Sequence, residues 1–377
     1  MKTKRVILLG ATGSIGTSTL DVISSFPDRF RIVGLSAHTN TDQLLQIARK
    51  HPEAKTALSG ISKADGAEEI DIFGKNAAVE LIDSVQADIV VNGIMGSGGL
   101  APSASAISAG MDLALANKET IVMAGDLLLP EARNKGVNVL PVDSEHAAVF
   151  QLLKNRPHSE ISDIILTASG GAFRTTPLEQ LDNVSVQEAL NHPTWKMGVK
   201  ITIDSASMAN KGLEVIEAER FFDMNTDKVS VLIHPQSYVH SLVRTCDGIL
   251  YAQISAPDMK NPIINALSFP ETLVSNFAPL DLTGKSLDFY EPDFRRYPML
   301  KLAFQASRKS ASYPTAYNAA NEAAVDAFIH NRISYLQIPE IVETVLQQDW
   351  SEAPIDLQGV FDVDSRVRSA AEKLLAV

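Results

Sequence analysis

The chain has 377 residues, more than the roughly 250 to 300 at which single hydrophobic cores stop growing, so two or three domains are expected. Hydrophobic residues make up 45% and charged residues 21%, an ordinary globular composition that excludes disordered and fibrous classes. The net charge of −12 provides no basic field for nucleic acid or an anionic membrane, so an anionic substrate must be bound by a local cluster.

The first part of the chain alternates short β-branched runs with helical patterns. The runs predict strands at Val6 to Leu9, Arg31 to Ser36, Asp88 to Asn92, Asp112 to Ala116 and Val137 to Val142. Helix-like spacing of apolar residues marks Thr41 to Lys50, Ala77 to Ser84 and Lys118 to Asn134. The alternation predicts an α/β domain over residues 1–149 with a doubly wound, Rossmann-like parallel sheet.

After residue 150 the pattern changes. Strands are predicted at Val229 to Ile233, Val239 to Thr245 and Ile249 to Ile254, and an Asp247-Gly248 turn makes the last two antiparallel. These strands predict a central α/β domain over residues 150–279. Residues 280–298 lack periodicity and are interpreted as a linker. Helices at Met299 to Ser307, Thr315 to Ile329, Ile338 to Gln348 and Asp364 to Ala376 predict a C-terminal helical domain over residues 299–377.

A glycine-rich loop, Gly10 to Gly16, directly follows the first strand and opens a helix. Its spacing is GxxGxxG rather than the commoner GxGxxG. Glycines at these positions allow a tight turn and let backbone N–H groups face a pyrophosphate, so the loop predicts dinucleotide binding. Such a glycine run taken alone is often only a turn.

The end of the second strand indicates which dinucleotide is bound. NAD-specific domains have an acidic residue there, but this strand ends in Ser36-Ala37-His38-Thr39-Asn40. No carboxylate repels a 2′-phosphate, and three hydrogen-bond donors stand in its place. NADP is therefore preferred over NAD, although no arginine or lysine is present in this loop.

Two acidic segments could hold a divalent cation. Asp143 and Glu145 follow a predicted strand, and they would point to the same side if the chain there is extended. Asn210 and Glu214 are spaced to share one helix face, with Lys211 beside them. Three hard oxygen ligands favour Mg²⁺ or Mn²⁺ over zinc. The alternative is that the acid pair is solvated or caps the next helix.

Three further features of the sequence concern anion binding, cysteine chemistry and solubility. The turn Thr167 to Gly171 follows another strand and could form an anion-binding nest with Ser205 and Lys211, or be a plain turn. Cys246 is the single cysteine, which excludes an internal disulfide and a cysteine-based zinc site and suits a reducing cytoplasm. No stretch approaches the ~20 apolar residues of a membrane helix, so a soluble protein is expected.

Nine sequence blocks occur in an order that resembles the 1-deoxy-D-xylulose 5-phosphate reductoisomerase family. They are Gly10 to Gly16, Ala116 to Glu119, Leu140 to His146, Ser169 to Gly171, His192 to Gly198, Ile203 to Ala218, His234 to Ser237, Pro257 to Met259 and Asn318 to Glu322. The resemblance covers essentially the whole chain, and the blocks around Asp143 and Glu214 are the most specific.

This resemblance implies a V-shaped homodimer with an NADPH domain, a central catalytic and dimer-forming domain and a C-terminal helical bundle. It implies conversion of 1-deoxy-D-xylulose 5-phosphate into 2-C-methyl-D-erythritol 4-phosphate, the first step specific to non-mevalonate isoprenoid synthesis. The metal ligands would be Asp143, Glu145 and Glu214, with Lys118 as a further catalytic residue.

The resemblance also assigns binding residues. Lys118, Ser144, Glu145 and Glu214 would contact the reacting end of the substrate, and the rest of the substrate would be bound by Ser169, His192, Ser205, Asn210 and Lys211. Trp195 and Met197 would belong to a flap that excludes water, and without the family they would be ordinary packing residues. NADPH would contact Thr12, Gly13, Ser14, Ile15, His38, Thr39, Asn40, Asn117, Glu119 and Gly198.

The chain departs from the family pattern at a few positions. His38 and Thr39 replace a usual basic residue, so the preference for NADPH is expected to be smaller than where an arginine binds the 2′-phosphate. Ala168 and Ala172 stand where glycine and proline are usual in the family, and Ser207 and Ala209 are small variants within the Glu214 block. None of the four removes a ligand-type side chain. Two rival functions stay open at this level. One is a metal-free NADP-dependent semialdehyde or hydroxy-acid dehydrogenase, and the other is a non-catalytic dinucleotide sensor.

Overall fold

The computed structural model of the chain describes residues 3–61 and 69–376. They form two compact units. The first is drawn from Met1–Thr120, Leu128–Ala147 and Asp258–Ala278, and the second from Ile121–Leu127, Ala148–Pro257 and Pro279–Val377.

The first unit is built on a parallel sheet of seven strands. The strands are β1 (Lys4–Leu9), β2 (Phe30–Ala37), β3 (Lys55–Leu58), β4 (Ile72–Phe73), β5 (Ile89–Asn92), β6 (Asp112–Leu115) and β7 (Val139–Pro141). The helices between them are α1 (Ser14–Ser25), α2 (Thr41–Ala48), α3 (Ala77–Ser84), α4 (Leu100–Ser108) and α5 (Lys118–Lys135).

The strand order is β4-β3-β2-β1-β5-β6-β7, which confirms the doubly wound parallel sheet. The chain reverses its direction of sheet growth between β1 and β5, so the ligand crevice of such a sheet lies at the carboxyl ends of these two strands. Val6 to Leu9 of β1 are fully buried, as expected of a central strand with both faces covered. β3 and β4 were not predicted, because they are short and carry few β-branched residues.

The second unit has a mixed sheet of four strands in the order β11-β10-β8-β9. α6 (Ser144–Leu153) begins in the first unit and ends in the second. The next elements of the second unit are β8 (Ile161–Ala168), α7 (Val186–Ala189), α8 (Val199–Ser207), α9 (Ala209–Phe221), β9 (Val229–Ile233), β10 (Val239–Thr245) and β11 (Leu250–Ile254). β10 pairs antiparallel with β8 and β11, and Gly248 makes the predicted turn with φ +88°. β8 and β9 are parallel.

The chain continues through α10 (Lys260–Ser268), α11 (Pro298–Lys309), α12 (Tyr313–Ile329), α13 (Gln337–Leu346) and α14 (Leu357–Leu375). The predicted C-terminal helices are therefore present, and the last one begins seven residues earlier than Asp364. α12 lies at their centre, packed against α11, α13 and α14, and its Tyr317 is fully buried.

One segment packs differently from the sequence-based division. α10 lies against α1 in the first unit, where Lys260 pairs with Asp21 at 3.1 Å and the Lys4 ammonium donates to the Phe269 carbonyl at 2.7 Å. Residues 258–278 had been assigned to the central domain. The boundaries at 149, 279 and 298 stay a prediction. Within the described part of the chain, no helix is long and apolar enough to cross a membrane.

Candidate active site

The glycine loop sits at the reversal point of the parallel sheet. Gly10 has φ +73°, and a Cβ there would lie 2.8 Å from the Gly93 carbonyl oxygen, at the end of β5. A Cβ on Gly16 would collide with the Gly10 and Ala11 carbonyls, so glycine is required for α1 to approach β1. Gly13 caps α1, and the helix begins at Ser14 with both residues exposed. Thr12 and Ile15 are half-buried beside them.

The loop after β2 places its three predicted cofactor residues at the surface. His38, Thr39 and Asn40 are all exposed. The His38 Nδ1 lies 2.9 Å from the Ser59 hydroxyl. Asn40 caps α2, because its side-chain oxygen accepts the Gln43 N–H at 3.1 Å. Two of the three predicted donors therefore already have protein partners.

Asn117 is held at the start of α5 by a buried polar network. Its amide nitrogen donates to the carbonyls of Ile94 and Gly96 and to the Glu119 carboxylate, each at 2.9 Å. Its oxygen accepts the Thr120 N–H at 3.0 Å. Asn117 and Glu119 are thus fixed with respect to the loop after β5, the edge where the glycine loop also lies.

Lys118 and Asp143 form an ion pair of 2.8 Å, and their side chains are 5% and 11% exposed. The other Asp143 oxygen accepts the backbone N–H groups of Glu145 and His146 at 3.1 and 3.2 Å. Asp143 therefore caps α6. The assumption of an extended chain at this point was wrong, because α6 begins at Ser144. Glu145 lies in the first helical turn, where its carboxylate accepts the Ser144 hydroxyl at 2.6 Å.

In the second unit, two predicted phosphate-binding segments meet. Gly171 has φ +67°, and a Cβ there would collide with the Ser205 carbonyl oxygen near the end of α8. Only glycine allows the turn after β8 to lie so close to α8. The Ser169 hydroxyl accepts the Gly171 N–H at 3.2 Å and lies 2.9 Å from His192 Nε2.

The next three predicted residues share the first turns of α9. The Asn210 amide donates to Glu214 Oε1 at 2.6 Å, and the Lys211 ammonium donates to Glu214 Oε2. The predicted common face of Asn210 and Glu214 is confirmed. Lys211 and Glu214 are 2% and 1% exposed, so a buried carboxylate is neutralised by a buried cation. Met208, with φ +61°, joins α8 to α9 and sets the direction of this face.

The predicted flap residues follow His192 in an irregular segment. Trp195 and Met197 are half-buried, and the Trp195 ring lies 6.3 Å from the His240 ring, centroid to centroid. Gly198, predicted to contact the cofactor, caps α8. His234 is a satisfied buried histidine. Its Nδ1 lies 2.8 Å from the Asp288 carbonyl, and its Nε2 accepts the Tyr238 N–H at 3.2 Å.

Comparison with known proteins decides the family. Sequence models described as 1-deoxy-D-xylulose 5-phosphate reductoisomerase, its C-terminal domain and the DXP reductoisomerase C-terminal domain match residues 6–125, 139–222 and 254–370. A reductoisomerase of Treponema denticola is 47% identical over 372 residues, covering 98% of this chain and 97% of the relative. The chain belongs to the 1-deoxy-D-xylulose 5-phosphate reductoisomerase family.

Other members agree over the full length. The Prosthecochloris aestuarii relative is 46% identical, covering 98% of this chain and 99% of its own. A structure described as DOX-P reductoisomerase with NADPH, fosmidomycin and magnesium has a TM-score of 0.91 at 39% identity, covering 99% of this chain and 98% of its own. The Zymomonas mobilis enzyme with NADPH has a TM-score of 0.90 at 39% identity, covering 99% of each chain.

His146 was missed from the sequence. Its ring is fully buried, and its Nδ1 lies 3.1 Å from Asp143 Oδ1. It follows Asp143 by three residues, and this spacing brings the two side chains together once α6 starts at Ser144. The spacing of Asp143 and His146 is visible in the block Leu140 to His146. In an extended chain, however, these two side chains would point to opposite sides.

Proposed function

We propose that this chain converts 1-deoxy-D-xylulose 5-phosphate into 2-C-methyl-D-erythritol 4-phosphate, using NADPH and a divalent cation. The observation that carries the proposal is that the described residues contain two buried lysine–carboxylate pairs, Lys118 with Asp143 and Lys211 with Glu214. Both lie in blocks shared with a family whose solved members include complexes with NADPH and with magnesium. A simple dehydrogenase or a sensor would not need carboxylates arranged to hold a cation.

The first unit fits a dinucleotide. Gly10 and Gly16 hold positions that a Cβ would fill, and the exposed N-terminus of α1 provides backbone N–H groups to a pyrophosphate. We assign Thr12 to Ile15, Asn117, Glu119 and Gly198 to the NADPH contacts. For the 2′-phosphate, we take His38 and Thr39 as the main donors, because the Asn40 side-chain amide already donates to the Gln43 side-chain oxygen at 2.9 Å.

The carboxylates fit a hard cation. Asp143, Glu145 and Glu214 offer oxygen ligands of the kind that Mg²⁺ and Mn²⁺ prefer. Each buried carboxylate of the two pairs already has a lysine as counter-charge, so a divalent cation would share or replace that lysine. We propose that these three residues hold the cation and that displaced lysine charge is then available to the substrate.

The second unit fits a phosphate. Ser169 and Ser205 lie on segments that only Gly171 allows to meet, and Lys211 supplies a positive charge on the neighbouring helix. Hydroxyl donors together with a lysine are a common way to bind a phosphate dianion. We assign Ser169, His192, Ser205, Asn210 and Lys211 to the phosphate end of the substrate.

In the reaction, one carbon–carbon bond breaks and another forms, and the resulting aldehyde gains a hydride and a proton. When bound, the cation polarises the substrate's carbonyl and adjacent hydroxyl oxygens, and NADPH supplies the hydride. We assign Lys118 and Ser144 to the reacting end of the substrate, where they would donate hydrogen bonds to oxygens on which charge develops. The phosphate contacts hold both fragments during the rearrangement, and Trp195 and Met197 cover the carbon chain against water.

A homodimer is the proposed assembly. β11 is an edge strand of the mixed sheet, and its outward residues Leu250 and Ile254 are 44% and 39% exposed, next to Ile249 at 49%. A bare apolar edge invites pairing with another chain. We further propose a cytoplasmic location. The single cysteine, Cys246, and the use of NADPH as the reductant both suit a reducing compartment.

One assay separates this function from its rivals. NADPH absorbance is followed after addition of 1-deoxy-D-xylulose 5-phosphate, with Mg²⁺ or with EDTA. We expect oxidation with Mg²⁺ only. Oxidation that persists in EDTA would favour a metal-free dehydrogenase, and NADPH binding without oxidation under either condition would favour a sensor.

A further inference from the structure

The ring of His192 has its proton fixed by its surroundings. Nδ1 accepts the backbone N–H of Thr194 at 3.1 Å and that of Trp195 at 2.9 Å. A ring nitrogen that accepts hydrogen bonds carries no proton, so in the neutral ring the proton is on Nε2. The Nε2–H therefore donates to the Ser169 hydroxyl oxygen, 2.9 Å away.

The hydrogen bonds of the Ser169 hydroxyl determine which role it can take toward a ligand. Its oxygen accepts from His192 and from the Gly171 N–H at 3.2 Å. A serine hydroxyl has two acceptor positions and one donor, so both acceptor positions are occupied. The O–H can then only donate, and the group that completes it must be an acceptor. Phosphate oxygens are acceptors, whereas a water or a hydroxyl ligand could use either role.

The ring also stays uncharged at neutral pH. Burial lowers the pKa of His192 to about 4, and none of the described charged side chains contributes to that shift. A second titratable ring, His240, lies near the same segment, 6.3 Å from the Trp195 ring between centroids. Charge for a phosphate dianion must then come from a lysine such as Lys211 rather than from His192.

We propose that His192 is a positioning residue that acts through Ser169: the backbone of residues 194–195 holds the imidazole neutral, which commits the Ser169 hydroxyl to donate to the substrate's phosphate. This proposal rests on the proposed function for the identity of the phosphate ester. Because the same ring accepts the Trp195 N–H, it also ties the start of the proposed flap to the phosphate-binding hydroxyl. In this proposal the effect of His192 on the substrate is transmitted through the Ser169 hydroxyl.

Two substitutions separate the two sides of the ring. His192→Asn keeps an acceptor near the Nδ1 position for the backbone N–H groups but loses the donor to Ser169. His192→Gln can still reach Ser169 with its amide N–H but loses the local acceptor. Trp195 reports on the flap, because the chain has two tryptophans and Trp350→Phe removes the other signal.

Binding of 1-deoxy-D-xylulose 5-phosphate and of inorganic phosphate is measured in the Trp350→Phe background by Trp195 fluorescence and calorimetry. We expect His192→Asn to weaken both ligands by about 10- to 100-fold, as for one hydrogen bond to a charged group. His192→Gln should bind both ligands within about threefold of the parent but change the Trp195 emission. NADPH affinity should be unchanged in every variant, which reports that the protein is folded.

Two results would overturn the proposal. In a Ser169→Ala background, His192→Asn should add nothing, and a second full loss there would mean that His192 touches the ligand itself. Substrate affinity should rise as the dianion forms near pH ~6 and then stay level to pH 8.5. A fall above pH ~6.5 that disappears in His192→Asn would mean a cationic histidine, whereas a fall that persists in His192→Asn arises outside His192 and is consistent with a neutral ring. These outcomes do not depend on turnover, so they are separable from failure of the proposed reaction.

Discussion

The buried pair of Lys211 and Glu214 makes a prediction that the sequence did not reach. The family resemblance assigns Lys211 to the substrate, and on that ground alone Lys211→Met would chiefly weaken substrate binding. In the structure the same change leaves Glu214, 1% exposed, without its cation. Breaking a buried ion pair from one side costs about 3 to 5 kcal/mol, because the remaining charge is uncompensated. Lys211→Met should therefore lower stability by about 3 kcal/mol or more in metal-free buffer.

A double-mutant cycle tests this reasoning. Glu214→Gln alone strands the lysine and should cost a similar amount. The double variant Lys211→Met, Glu214→Gln removes both charges at nearly constant volume, and it should be more stable than either single variant. Urea unfolding followed by Trp350, which is 4% exposed in the same unit, provides the measurement. Single variants within about 1 kcal/mol of wild type, or a double variant that loses the sum, would refute the buried pair.

A divalent cation adds a second arm to the same experiment. A ligand that binds only the folded state raises stability in proportion to the logarithm of its concentration. If Glu214 holds the cation, millimolar Mg²⁺ should raise the unfolding midpoint of Lys211→Met more than that of wild type, since the carboxylate lacks its competing lysine. Glu214→Gln should gain least. Equal gains in all three variants would remove Glu214 from the metal site while leaving the ion pair intact.

Three further predictions concern other positions. Gly171→Ala should cost more than about 2 kcal/mol in thermal unfolding and weaken phosphate binding, whereas Gly248→Ala, with φ +88° and nothing within 4 Å, should cost about 1 kcal/mol. Glu214→Gln should leave NADPH affinity nearly intact but retain less than about a tenth of the turnover at saturating Mn²⁺. Replacing His38 and Thr39 together by alanine should cut NADPH affinity by about 10- to 100-fold and spare NADH, and equal losses for both cofactors would contradict a 2′-phosphate contact.

Most of the first unit could be predicted because its strands are buried on both faces. Strands buried on both faces have continuous apolar, β-branched sequences, and Val6 to Leu9 is a clear example. β3 and the edge strand β4 were not predicted, since β3 has only four residues and β4 only two. The packing of α10 on α1 was also unpredictable, because a helix's periodicity gives its buried face but not its partner.

The candidate site divides in the same way. The i,i+4 relation between Asn210 and Glu214 is set by helix geometry alone, so the sequence was enough. The role of Asp143 depends on where α6 begins. A shift of the helix start by one residue decides whether the Asp143 carboxylate caps the helix or projects from an extended chain. The three partners of His192 are neighbours through a turn and a separate strand, so no spacing along the chain would indicate its tautomer.

Each of these polar groups already has a protein partner, and this has a consequence for how ligands would bind. Asp143 has Lys118, Glu214 has Lys211, and Ser169 has His192 and a backbone N–H. Burying these groups without partners would cost several kcal/mol each. In the ligand-free protein, neighbouring side chains and backbone groups therefore act as the partners that a ligand would otherwise provide. A cation or a phosphate then exchanges partners rather than creating charge pairs anew. Breaking these protein contacts lowers the affinity for the ligand. The same contacts hold the binding groups in position before the ligand binds.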